Sequence, residues 1–388
     1  MKYIITNFAY GYGPFLRTTE LAIAVSDLLS KKIGEKIGVI VPWVYGQKQK
    51  DIMQEQFADL IKTRTDFLLL DKNLGKQLDS VFYGQKSYSQ ALAYLVKNGN
   101  EVRKNVWQYF DDGLSTENFL GQKVEIKKND ILLEINRNCR IDFNFEYSYQ
   151  ASFAYASEIL IQAQKDNISL IDKEIIKPAI AWFAQIEKKQ QINFIAEPAT
   201  FFYLGASRKK LYQTEQRTPP NLTLPKRLEA KIEKGIYVTV TGIPGLDRLF
   251  AEAKKIGLKI YTNQPNIIAG SEKISPQILG NKNILLHFAR SGWGSIWLSQ
   301  FTNTPFIALV YEKNDDPEIY YNNLCLEKTG LGKIYSGQPL AELLKFKDQY
   351  ETKVSEINQY LLDQYKTLDG ISYTAQKIAN HYLNSNLL

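Results

Sequence analysis

His287-Phe288-Ala289-Arg290-Ser291-Gly292-Trp293-Gly294-Ser295, continued by Ile296-Trp297-Leu298, decides how this 388-residue chain is read. Residues 283–287 are an apolar run of strand length. The run ends in a turn with two glycines and two serines, and Ser295, a favoured N-cap residue, opens an apolar helix. The start of such a helix offers unpaired backbone N–H groups and a partial positive charge, which together suit an anion. Arg290 adds a cation able to form a charge-assisted hydrogen bond. A tight, serine-capped strand-to-helix turn needs no ligand, so both roles stay open at this point.

Working outward, the same alternation recurs on both sides. Downstream of residue 235, strands are predicted at 236–241, 258–262, 283–287 and 305–311, with helices at 246–255, 295–301 and 318–329. Two amphipathic helices, 347–365 and 372–383, finish the chain. Upstream, strands at 2–8, 37–42 and 67–70 alternate with helices after Gly13 and at 54–62. Further helices are expected at 87–97, 101–110 and 149–164, and strands at 130–135 and 192–196. Such βα alternation implies parallel sheets with helical crossovers. Between the two series, Arg, Lys, Gln and Pro dominate, and Pro219-Pro220 and Pro225 oppose regular structure.

The length fits two domains at roughly 150 residues per domain. The expected division is an N-terminal Rossmann-like domain over 1–205, a linker over 206–235, a second Rossmann-like domain over 236–366, and a helix over 367–388. Two doubly wound domains leave a cleft at the carboxyl ends of their strands, where ligands bind.

Composition removes several classes. Hydrophobic residues at 44% and charged residues at 23% describe an ordinary globular chain. The longest apolar runs fall well short of the roughly 20 residues that cross a bilayer. The start, Met1-Lys2-Tyr3-Ile4-Ile5, reads as a core strand rather than a signal peptide. Cys139 and Cys325 form no CxxC spacing, which suits a reducing cytoplasm, and two histidines cannot build a His-rich metal centre. The net charge of +7 is spread among acids. It suits a phosphorylated substrate or peripheral contact with the inner face of a membrane, and no nucleic-acid reader motif accompanies it.

The turn at 287–295 resembles the donor-binding turn of GT-B glycosyltransferases, where an H-x-G-x-x-S or R-S-G pattern sits beside the donor diphosphate. Its continuation, Asp316-Pro317-Glu318-Ile319-Tyr320-Tyr321-Asn322-Asn323-Leu324-Cys325-Leu326-Glu327-Lys328-Thr329-Gly330, resembles the D-x-Q-Q-x-x-N-A-L-x-L-E-x-x-G block of the lipid-linked N-acetylglucosaminyltransferase of peptidoglycan synthesis. The resemblance implies an α/β protein of GT-B architecture, two Rossmann-like domains facing a cleft, with 1–205 the acceptor domain, 236–366 the nucleotide-sugar donor domain and the helix over 367–388 returning toward the N-terminal domain. It implies that His287, Arg290, Ser291, Gly292, Gly294 and Ser295 line the donor site, with Gly242, in Thr241-Gly242-Ile243-Pro244-Gly245, approaching the diphosphate. Asp316, Glu318 and Ile319 fall where the family contacts the transferred sugar, and Asn322 where it supports that loop. Carboxylates accept bonds from sugar hydroxyls, as Ile319 cannot. Leu298 stands where the family usually carries a ribose-binding Glu, so uridine and thymidine donors are equally compatible.

No histidine follows the N-terminal glycine loop, where many inverting members place the base. A carboxylate must then deprotonate the acceptor, or the transfer is retaining. Asp111 and Asp112, before Gly113, are the leading candidates for the base, although Asp-Asp-Gly is also a common turn; Glu20 and Glu197 are weaker ones. Gly11 and Gly13 let the backbone approach a ligand, and Arg17 can meet a phosphate on either substrate. The expected activity is transfer of a sugar from a UDP- or dTDP-sugar to a lipid, glycan, protein or small-molecule acceptor, without metal or cofactor. The alternatives are a GT-B-fold sugar epimerase or phosphorylase and a non-catalytic nucleotide-sugar-binding subunit.

Overall fold

The structure, a computed structural model, describes residues 1–9, 11–82, 87–168, 170–225, 229–239, 246–264 and 268–386. The chain forms two compact units. One comprises Met1–Ala196, Lys210–Asn221 and Gly370–Leu388; the other comprises Glu197–Lys209 and Leu222–Asp369.

The first unit is built on nine strands: β1 (Lys2–Phe8), β2 (Ile37–Pro42), β3 (Leu68–Asp71), β4 (Leu114–Glu117), β5 (Lys123–Ile126), β6 (Ile131–Arg137), β7 (Ser148–Ser152), β8 (Ile192–Ala196) and β9 (Glu215–Thr218). They lie in the order β5-β4-β3-β2-β1-β6-β7-β8-β9. All run parallel except β4, which is antiparallel to β3 and β5. Helices α1 (Tyr12–Ile33), α2 (Gly46–Gln56), α3 (Ala58–Thr63), α4 (Lys72–Asp79), α5 (Tyr88–Asp112), α6 (Ala156–Asp166) and α7 (Lys173–Lys188) accompany them. Every residue of β2 and β3 is buried, as a strand covered on both faces requires.

The second unit carries an all-parallel sheet of β10 (Gly235–Val238), β11 (Lys259–Thr262), β12 (Glu272–Lys273), β13 (Ile284–Ala289), β14 (Phe306–Leu309) and β15 (Lys333–Tyr335) in the order β12-β11-β10-β13-β14-β15. Its helices are α8 (Asp247–Lys255), α9 (Trp293–Thr302), α10 (Pro317–Thr329), α11 (Leu340–Leu344) and α12 (Lys347–Tyr365). The last helix, α13 (Gly370–Asn386), belongs to the first unit and packs along α1. Its seat is the stretch read from sequence as irregular: an added Cβ at Gly370 would lie 2.2 Å from the Pro220 carbonyl oxygen. Thr374 donates to Asn221 at 2.8 Å, and His381 pairs with the Tyr149 hydroxyl at 2.9 Å. The stretch 206–235 also holds β9, hydrogen-bonded to β8.

Three local expectations are corrected. Residues 149–164 are not one helix: Tyr149 to Ser152 lie in a fully buried strand between β6 and β8, and α6 starts at Ala156. Short apolar runs suit either state until neighbours are known. The helix expected at 54–62 is instead α2 and α3, which meet at Phe57. The two helices expected at 87–97 and 101–110 are one helix of 25 residues. Gly99, in the gap between the two expected helices, is there for packing: a Cβ would lie 2.8 Å from the Trp182 indole. That ring is pinned, because its Nε1 donates to the Arg140 carbonyl at 2.8 Å and the Arg103 guanidinium lies 3.9 Å from its centroid. An alanine at an ordinary mid-helix glycine gains about 1 kcal/mol. Gly99→Ala is expected to lose about 1–3 kcal/mol by overpacking instead, read as a lower urea midpoint.

Candidate functional site

In the second unit the chain runs from β10 to β11 and β12 on one side, then returns to β13, β14 and β15 on the other. The order reverses between β10 and β13. In open parallel sheets, ligands bind outside the carboxyl ends of the strands at such a reversal. The turn 290–292 leaves β13 at that position and feeds α9. Gly242, expected in the matching turn after β10, lies outside the described residues.

The helix starts two residues earlier than expected: Gly292 is its N-cap, with no side-chain capping bond, and Ser295 lies inside the first turn. The amides of Trp293 and Gly294 therefore have no acceptor within the helix. Gly292 has φ −81°, ψ 137°, an ordinary extended conformation, and neither Gly292 nor Gly294 has positive φ. A Cβ built on either meets nothing within 4 Å. Neither backbone geometry nor packing demands glycine here. What its absence of side chain does is leave the start of α9 uncovered. Ser295 is half-buried, and among the described residues its hydroxyl has no hydrogen-bond partner.

The turn is held from behind by Asn322 of α10, which is fully buried. Its Nδ2 donates to the Ser291 carbonyl at 2.7 Å and to Glu318 Oε1 at 2.9 Å. Its Oδ1 accepts from Trp293 Nε1 at 2.7 Å and Thr200 Oγ1 at 2.8 Å. Trp297, one turn further along α9, donates to the Pro198 carbonyl at 2.8 Å. Thr200 and Pro198 escaped the sequence reading. Glu197-Pro198-Ala199-Thr200 carries no periodic signal, and only its position just after β8 marks it.

The remaining donor candidates divide. Arg290 is about half exposed, with 45% side-chain accessibility, and ion-pairs with Asp315. Asp316 caps α10 by accepting from the Glu318 amide at 3.0 Å. Ser291 is fully buried and its hydroxyl reaches the Ile319 carbonyl at 3.4 Å, so its side chain serves the turn. His287 lies in the core, its ring nitrogens 2.6 Å from Ser299 Oγ and 3.1 Å from Thr239 Oγ1. Burial lowers its pKa to about 3, so it is neutral and presents no face to a ligand. The direct donor contact expected of His287 becomes support of the strand end. Leu298 packs beside the buried Tyr237 and Tyr261.

In the first unit the order reverses between β1 and β6. Gly11 and Gly13 lie at the carboxyl end of β1, where Gly11, at φ 128°, caps α1 and donates to the Tyr45 hydroxyl at 2.6 Å. Gly13, like Gly294, meets nothing within 4 Å. Arg17 is engaged by Glu20, with N–O distances of 2.7 and 2.6 Å. Asp111 and Asp112 lie elsewhere. Asp111 pairs at 2.7 Å with Lys128, in the turn leading into β6, whose first residue Ile131 is in register with Tyr3 near the start of β1. The end of α5 also lies beside the end of β3, since the Tyr109 hydroxyl meets both the Asp71 carboxylate and the Ser115 amide. Asp112 accepts from Gln108 one turn back on an exposed helix end. The base role expected of these two residues gains no support from burial, since both are exposed.

Among the described residues, no helix is long and apolar enough to cross a membrane, and no group of three His, Cys, Asp or Glu is arranged to hold a metal ion. No protein-family profile matches the chain, and no curated protein matches it. Solved structures do. The calicheamicin glycosyltransferase CalG4 matches with a TM-score of 0.57 at 11% identity, over 99% of this chain and 98% of that one. UGT71G1 of Medicago truncatula, complexed with UDP-glucose, matches at 0.52 and 12% identity, over 97% and 98%. SnogD of Streptomyces nogalater, also a glycosyltransferase, matches at 0.52 and 10%, over 98% and 99%. These likenesses do not extend to the narrower resemblance of residues 316–330 to the peptidoglycan transferase. They span both units, and the chain has the GT-B fold.

Proposed function

We propose that the protein is a glycosyltransferase that takes a sugar from a nucleotide-diphosphate donor, with the diphosphate resting on the N-terminus of α9. The observation that carries this reading is the uncovered start of that helix at the strand-order reversal. Two glycines leave it bare although neither their conformation nor any neighbour among the described residues requires them. The Trp293 and Gly294 amides and the Ser295 hydroxyl donate to phosphate oxygens there, and the helix dipole favours the charge that accumulates as the sugar–phosphate bond breaks. Arg290 adds a cation at the rim. Asp316 and Glu318, at the first turn of α10, accept bonds from sugar hydroxyls. UGT71G1, CalG4 and SnogD support the reading through the fold they share with this chain. The donor is a UDP- or dTDP-sugar.

The glycines give the test. Gly294→Val fills space that no atom of the described residues occupies, so the unliganded melting temperature is expected to stay within a few degrees. Calorimetric titration with UDP and with dTDP is expected to show binding weakened at least about tenfold, since a side chain then covers the phosphate-facing amides. Equal affinity in parent and variant would remove the site. Arg290→Ala is expected to do less. Its guanidinium is about half exposed and already paired with Asp315, so the loss is about 1 kcal/mol or less and shrinks as salt is raised. Titrations at two ionic strengths check both statements.

A further inference from the structure

The first unit carries a second built surface at the carboxyl ends of three adjacent parallel strands. Tyr12 follows β1, Trp43 and Tyr45 follow β2, and Lys72 follows β3. The loops are laced together. The buried amide of Gln49 accepts from the Val44 and Tyr45 backbone N–H groups at 2.9 and 3.0 Å and donates to the Pro42 carbonyl at 2.8 Å. The Trp43 amide donates to the Asp71 carbonyl at 2.8 Å, and a Cβ on Gly75 would lie 2.2 Å from the Trp43 carbonyl oxygen, so α4 is pressed against this turn. The Tyr12 and Tyr45 rings lie 4.9 Å apart.

Cations sit over these rings. Lys48 Nζ is 4.6 Å from the Tyr12 centroid, and Lys72 Nζ is 5.9 Å from that of Trp43. Lys50, 5.6 Å from Trp43, is neutralised by Glu117 at 3.4 Å, and Arg17 by Glu20 at 2.6 Å. Asp51, the acid next along α2, accepts from Gln47 at 2.7 Å. Lys48 and Lys72 are exposed and have no acidic partner among the described residues. Two unpaired ammonium groups therefore flank a rigid aromatic platform, the combination that receives an anion attached to a flat ring.

The geometry points to the acceptor class: a small molecule with an anionic group, phosphate or carboxylate, beside a ring that stacks on Tyr12, Trp43 and Tyr45, with Lys48 and Lys72 taking the charge. This rests on the glycosyltransferase reading, because it assigns the acceptor to the unit that does not hold the donor turn.

The test uses the full chain in a proton–nitrogen NMR spectrum, which separates the indole N–H of its five tryptophans. Trp43→Phe identifies the Trp43 signal. Titration with phenyl phosphate is expected to move that signal, and phenol at equal concentration is expected not to. In the double variant Lys48→Gln, Lys72→Gln, the phenyl phosphate affinity is expected to fall at least about fivefold. Both lysines are exposed, so the remaining indole signals should keep their positions and report an intact fold. An unmoved Trp43 signal, an equal response to phenol, or an unchanged affinity in the double variant overturns the assignment. UDP is titrated in parallel and is expected to move the Trp293 indole. Failure there is a failure of the donor reading, and is distinguishable because it appears at a different tryptophan.

Discussion

The carboxamide of Asn322 holds the proposed donor site in one geometry. It is fully buried and uses all its hydrogen-bonding capacity, two N–H bonds and two accepted bonds, on four partners. Those partners come from three separate segments: Thr200, the turn at Ser291 and Trp293, and Glu318 in α10. A buried amide left with unmet partners costs about 1–3 kcal/mol for each group, so the segments are fixed together rather than independently. The position of the first turn of α9 follows from this, and with it the direction of the amides that make the site.

Around this anchor the chemistry of the two sheets differs. At the second unit's reversal, bare backbone carries the proposed recognition, and Arg290 at its rim is already paired with Asp315. At the first unit's carboxyl ends, side chains supply it: aromatic rings held by the Gln49 amide, with lysines above them. A backbone site suits diphosphate, the group that nucleotide-diphosphate donors share whatever their sugar. A side-chain site suits the substrate that distinguishes one enzyme of this fold from another.

The carboxyls with raised pKa values are internal fastenings. Burial raises the Glu134 carboxyl to about 7, but its oxygens accept from Asn7 at 2.7 Å and Ser148 at 3.1 Å inside the first sheet. Asp71 is raised to about 6, also by burial first, and caps α4 while accepting from Tyr109. Glu187 is raised for the same reason and holds Ser157 and Tyr212. These carboxyls are core fastenings, so in this protein helix termini and exposed cations locate the chemistry better than shifted pKa values do.

Local pattern was enough to read most strands, because a parallel strand covered on both faces must be an unbroken apolar run; Ile37 to Pro42 needed no knowledge of its neighbours. It was enough for the strand–glycine–helix turn at 287–295 and for α12, whose amphipathic face is set by local spacing. It failed where the deciding contact is remote in sequence. Tyr149 to Ser152 became a strand because β6 and β8 flank it, and Gly99 stayed within one helix because Trp182 lies against it. Pro219-Pro220 proved to be the seat of α13, and Asp111 was paired with Lys128, which follows β5. The tertiary structure alone also gathered Tyr12, Trp43, Lys48 and Lys72, since only parallel pairing of β1, β2 and β3 brings the ends of three distant segments to one edge. Periodicity along a chain records which face of an element is buried; it does not record what covers that face.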